Sequence, residues 1–129
     1  MSRRVRGLRA AALAVLWAAT ACDSGPKGPG FLTGTIEGPV PLGAAIVEVQ
    51  GEGVLGFEAA GTTHVFSTPS DQPGVHRVVL IGETPGDLPF KVQVQELRDR
   101  PPSATIIQAS GADDIPLATT QAFQIHIVR

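Results

Sequence analysis

Phe90-Lys91-Val92-Gln93-Val94-Gln95 alternates apolar and polar residues without interruption, which sets Phe90, Val92 and Val94 on one face of an extended strand and Lys91, Gln93 and Gln95 on the other. A strand packed on one side and wetted on the other belongs to an antiparallel sheet. Ala122 to Arg129 repeats the pattern, with Phe123, Ile125 and Ile127 facing inward and Gln124, His126 and Val128 facing outward. Between these segments and upstream of them, glycines and prolines punctuate short runs rich in β-branched residues. The runs are Phe31 to Glu37, Ala44 to Gln50, Val54 to Glu58, Thr62 to Ser67, Val75 to Ile81 and Thr105 to Ala109. Gly38-Pro39-Val40-Pro41, Gly51-Glu52-Gly53 and Thr68 through Gly74 read as turns. No window after residue 30 holds a helical period. The expected fold is all-β, an antiparallel β-sandwich or jelly roll of about eight strands over residues 31–129.

The chain upstream has a different character. Arg3, Arg4, Arg6 and Arg9 precede an apolar run from Ala10 to Ala19, followed by Thr20, Ala21 and Cys22, the single cysteine. The run is too short for a spanning helix, which needs about 20 apolar residues. Its order of basic, apolar and small residues fits a cleaved signal peptide over residues 1–21. The ending Ala19-Thr20-Ala21-Cys22 resembles the lipobox of bacterial lipoproteins, with Ala19 standing where leucine is usual. That resemblance implies that the mature chain begins at Cys22, carries lipid on its sulfur and amine, and is anchored to a membrane of the cell envelope through it. Ala19 and Ala21 equally satisfy the small-x-small rule of the ordinary signal peptidase, which would release a soluble periplasmic or secreted protein. A lone thiol in an oxidising compartment has no internal partner, and lipidation would consume it. Residues 22–30 have little to bury and alternate glycine with proline, so they read as a flexible tether. Asp23 resembles the inner-membrane retention signal of enteric bacteria, and the choice between inner and outer membrane stays open.

Removing residues 1–21 deletes four arginines and leaves six basic against 12 acidic residues. An acidic domain without a basic run repels a phosphate backbone, so no nucleic-acid partner is expected. Attraction to anionic lipid is equally disfavoured, which leaves membrane attachment to the lipid on Cys22. About a hundred residues support a single core.

Leu42-Gly43-Ala44-Ala45-Ile46-Val47-Glu48-Val49, followed by Gly53-Val54-Leu55-Gly56-Phe57, resembles the opening of a cohesin-like module. Val78 to Gly82, Gly86 to Phe90, Ala104 to Ser110, the acidic Asp113-Asp114 loop and Phe123 to Ile127 are similar to its later strands and turns. The resemblance implies a β-sandwich fold and carries no partner-binding residue over to this chain.

No residue set carries a catalytic signature. His64, His76 and His126 fall on separate strands without metal-ligand spacing. Asp113 and Asp114 lack the spaced carboxylates of a calcium loop. Ser67, Ser70 and Ser110 sit in no nucleophile elbow. The only tryptophan, Trp17, lies in the signal, and the mature chain has no tyrosine for sugar stacking. The expectation is a non-catalytic envelope domain, with no metal or cofactor, that binds an unidentified envelope protein or serves a structural role. The alternative is a carbohydrate-binding or hydrolytic lipoprotein, in which His64 or His76 would meet a carboxylate in a pocket. Since the last predicted strand supplies three inward apolar residues, deletion of residues 123–129 is expected to abolish folding. A cooperative thermal melt of the truncated chain would contradict this.

Overall fold

The computed structural model describes residues Lys27–Arg129; the expected signal peptide and Cys22 lie outside the described residues. Eight strands follow in the order read from the sequence: β1 Gly30–Glu37, β2 Leu42–Gln50, β3 Val54–Ala59, β4 Thr63–Pro69, β5 Val75–Gly86, β6 Phe90–Val94, β7 Ser103–Gly111 and β8 Gln124–Val128. There is no helix among the described residues. The strands form two four-stranded antiparallel sheets, ordered β3-β6-β1-β8 and β4-β5-β2-β7. Pairing is nested: β4 with β5, β3 with β6, β2 with β7 and β1 with β8. The chain is thus one long ribbon doubled on itself and wrapped into a β-sandwich, as in a jelly roll.

The core lies between the sheets and follows the alternation. Phe90, Val92 and Val94 of β6 and Leu32 and Ile36 of β1 meet Ala45, Val47 and Val49 of β2 and Val78 and Leu80 of β5. Phe90 is fully buried, and its ring lies so close beneath Gly34 that a Cβ there would come within 2.4 Å of it. His76 points inward from β5, where its ring meets Phe57 of the opposite sheet edge to face at 5.6 Å. Leu88 plugs one end of the core, 1 % exposed, from a backbone with φ of 47°.

The largest departure from the expected boundaries is β5, which runs to Gly86 instead of stopping at Ile81. Between the pairs Ala44↔Ile81 and Leu42↔Gly86 the strand carries extra residues. These residues, which include Pro85, bow out of the ladder, and proline is tolerated at such an irregularity. Glu83 N–H still bonds Thr62 O at 3.0 Å, and the Thr62 and Thr84 hydroxyls meet at 3.1 Å.

The segment ahead of β1 is held on the domain. Both Glu96 carboxylate oxygens accept from the Gly28 amide, at 2.9 and 3.1 Å, and one also accepts from the Arg98 amide at 3.1 Å. Leu97 N–H returns a bond to Gly28 O at 2.9 Å. The Gly28 amide and then the Arg98 amide hold the Glu96 carboxyl below its ordinary range. A depressed carboxylate stabilises the fold above its unfolded pKa, and that contribution is lost as pH falls through the folded value. Hydrogen exchange should therefore show Gly28 and Leu97 protected at neutral pH and less so, relative to intrinsic rates, in acid. Glu96→Ala should remove the protection at neutral pH; unchanged exchange would contradict the latch. In urea unfolding, Phe90→Ala is expected to cost about 3–5 kcal/mol and Gly34→Ala about 1–3 kcal/mol. A Gly34→Ala variant as stable as the parent would show that the ring has room to shift.

Candidate functional site

The histidines stay apart. His64 Nε2 meets Glu83 Oε1 at 2.9 Å and His126 Nε2 meets Glu37 Oε2 at 2.9 Å, both on open surface and on different sheets, while His76 is turned inward. His64 does meet a carboxylate, but with side chains 56 % and 61 % exposed the pair lies on the surface and encloses no substrate-sized space. Ser67 and Ser70 are exposed, Ser110 half-buried, and none is hydrogen-bonded to a histidine. Asp113 caps the Ile115 amide at 3.4 Å, and Asp114 adopts φ of 61° in the turn after β7. Among the described residues no group of three or more His, Cys, Asp or Glu is placed to hold a metal ion.

What the fold does assemble is an apolar surface. On the outer face of β4-β5-β2-β7, register sets His64, Ile81, Ala44 and Ser110 in one row across the four strands. The next row is Phe66, Val79, Ile46 and Gln108, and the third is Thr68, Arg77, Glu48 and Thr105. The centre of the two upper rows is apolar. Phe66 is 59 % exposed and Ile81 43 % exposed. Between them and β7 lies a dip of about 250 Å³ lined by Ala44, Ile46, Val79, Ile81, Gln108 and Ser110. Small Ala44 makes the floor, and the longer chains on either side make the walls. The Arg77–Glu48 pair, 3.6 Å apart, bounds the patch below, and the His64–Glu83 pair bounds it above. The other outer face is more polar: β1, β6 and β8 turn Thr33, Thr35, Glu37, Lys91, Gln93, Gln124 and His126 to solvent, with two exposed apolar residues among them, Phe31, over whose ring Lys91 Nζ lies at 5.9 Å, and Val128 on the edge strand.

Charge is distributed unevenly along the strands. The end formed by residues 38–41, 60–62, 87–89 and 112–123 gathers Glu37, Glu58, Glu83, Asp87, Asp113 and Asp114, against Lys91 alone. The opposite end, where Lys27 joins β1, balances Lys27, Arg77, Arg98, Arg100 and Arg129 against Glu48, Glu52, Asp71, Glu96 and Asp99. The molecule therefore has a neutral end at its N-terminal junction and an acidic end away from it.

The apolar face was not anticipated, although the sequence holds its signal. Ala44-Ala45-Ile46-Val47 and Val78-Val79-Leu80-Ile81 are continuous apolar runs, the mark of strands apolar on both faces. Among the described residues no helix forms a covering layer, so one of those faces is left bare. No protein-family model, curated protein or solved structure matches this chain.

Proposed function

We propose that this protein is a non-catalytic, lipid-anchored domain of the bacterial cell envelope that binds another protein through the outer face of β4-β5-β2-β7. The observation that carries the reading is the apolar surface of exposed Phe66 and Ile81 with half-buried Val79 and Ile46 beside them, and its 250 Å³ dip. Large apolar side chains left bare around a pocket, inside a polar border, are the anatomy of a protein interface. Above the patch the surface is acidic, through Glu83 and the end that carries Asp113 and Asp114. The complementary partner is a protein that inserts an apolar side chain into the dip and sets lysine or arginine beside it.

Anchoring comes from the sequence, through lipid on Cys22 after removal of residues 1–21. The charge pattern agrees with it: the balanced end adjoins the tether and the acidic end points away from an anionic membrane. Sugar stacking and hydrolysis draw little support from the site: its one aromatic is Phe66, and the polar pairs that border it, His64–Glu83 and Arg77–Glu48, lie on open surface on opposite sides of the patch.

A photo-crosslinking residue at position 66, in the protein within its native envelope, should capture one reproducible protein, and the same residue at Gln93 should not. Ile81→Glu should abolish the capture at an unchanged melting temperature. Equal capture from both positions would sink the binding-face reading. Intact mass of the same material should show acyl chains on Cys22; an unmodified thiol would redirect the protein to soluble export.

A further inference from the structure

The four strand edges of the sandwich are not alike. β3 is broken by a bulge between Val54 and Gly56, and β4 ends on Pro69, which has no N–H to offer. β7 carries an extra residue, Ile107, and its upper edge is covered where Leu117 N–H bonds Ala109 O at 2.9 Å and Gly111 N–H bonds Ile115 O at 3.0 Å. β8 has none of these devices. Gln124–Val128 pairs with β1 over five consecutive residues without a register shift, and holds no proline and no lysine.

The backbone groups that β8 leaves free can be identified. In an antiparallel ladder the N–H and C=O of one residue point to the same neighbour, and successive residues alternate. Ile36 N–H bonds Asp87 O at 2.8 Å, on the β6 side, so Thr33, Thr35 and Glu37 turn their groups toward β8. Their partners Val128, His126 and Gln124 are thereby used, which leaves Ile125 and Ile127 facing outward. The side chains of these two isoleucines are half-buried over the open side of the sandwich. A cleft of about 620 Å³ separates β8 from β7 there, with Ile106, Phe123 and Ile125 in its lining. The edge therefore calls for a strand with two apolar residues spaced by one polar residue.

β8 is itself such a strand. We infer that two copies of this chain pair antiparallel through β8, about a two-fold axis at His126, so that Ile125 of each copy exchanges both backbone bonds with Ile127 of the other. The four isoleucines then meet across the seam. The edge's own sequence is what points to a second copy, and the placement of charge is compatible with it. Antiparallel pairing lays the acidic end of each molecule beside the balanced, arginine-bearing end of the other, and brings Arg129 of each copy toward the Glu37 end of its mate. The axis is normal to the joined sheet, so both β4-β5-β2-β7 faces point the same way. Given the binding-face reading above, the dimer is bivalent on one side.

The register gives the test. A residue at the axis stands opposite itself in a non-hydrogen-bonded pair, with Cα atoms about 4.5 Å apart, inside the roughly 4.4–6.8 Å range of a disulfide. In the native envelope, His126→Cys should give a covalent dimer of this chain on mild oxidation. Val128→Cys, which stands opposite Gln124, and the parent chain with Cys22 alone should not. Ile127→Pro added to His126→Cys removes one of the outward N–H groups and should abolish the dimer; its melting temperature checks that the fold survives. No dimer from His126→Cys, or equal yields from positions 126 and 128, would overturn the pairing. Crosslinking of His126→Cys to a different protein would assign the edge to another occupant and overturn it too. None of these readouts involves position 66 or the partner it captures, so the two readings fail separately.

Discussion

The Phe90 ring against the backbone of Gly34 is the constraint on which the sandwich rests. β6 and β1 are neighbours in one sheet, and the ring fills the space that any side chain on residue 34 would need. A one-residue slip of β6 would turn Phe90, Val92 and Val94 to water and Lys91 and Gln93 into the core, reversing every pair on that face at once. With β6 fixed, β3 on one side and β1 on the other are fixed, and β1 in turn determines where β8 lies. The nested pairing then carries the order to the second sheet, since each pair of strands continues the ribbon begun by the one before it.

Much of this order was legible because one face of each strand in the β3-β6-β1-β8 sheet is wet. Alternation is a strong signal there, and the inward set of β8, Ile125 and Ile127, is the one its pattern gives. The second sheet was harder to read. Its two central strands are apolar on both faces, so their runs mark position without saying which side meets the core. Irregularity hid the rest. Gly82, Pro85 and Gly86 carry turn chemistry yet lie within β5, because a bowed stretch needs the same residues as a turn. The Glu96 latch had no local signal at all, since its partner Gly28 is 68 positions away and looks, in sequence, like linker.

The candidate face follows from this asymmetry between sheets. A β-sandwich has two outer faces, and a chain under no other demand would make both polar. Here the β1, β6 and β8 face comes nearer to that expectation, with threonine, glutamine, lysine and glutamate outward and Phe31 and Val128 as separate apolar exceptions, one beneath Lys91 and the other on the edge strand. The β5 and β2 face does not. Phe66 and Ile81 contribute nothing to the internal core from where they stand, and their exposure carries a solubility cost. A folded domain tolerates such residues when something else covers them.

The latch gives that face a direction. With Gly28 hydrogen-bonded to Glu96, only residues 23–27 separate Gly28 from Cys22, a span of at most about 20 Å even fully extended. Under the proposed anchoring at Cys22, the domain would stay close to the membrane with its balanced end nearest. The apolar face runs parallel to the strands, so it stands to the side of the tether instead of at its far tip. Under the same proposal its acidic border lies toward the end remote from the anchor, where repulsion by anionic headgroups would be weakest and a basic partner would meet the least competition from the membrane surface. On the proposed reading these features act together: the short fixed junction keeps the domain close, the uneven charge sets which end is near, and the bare sheet face is the surface for a partner to cover.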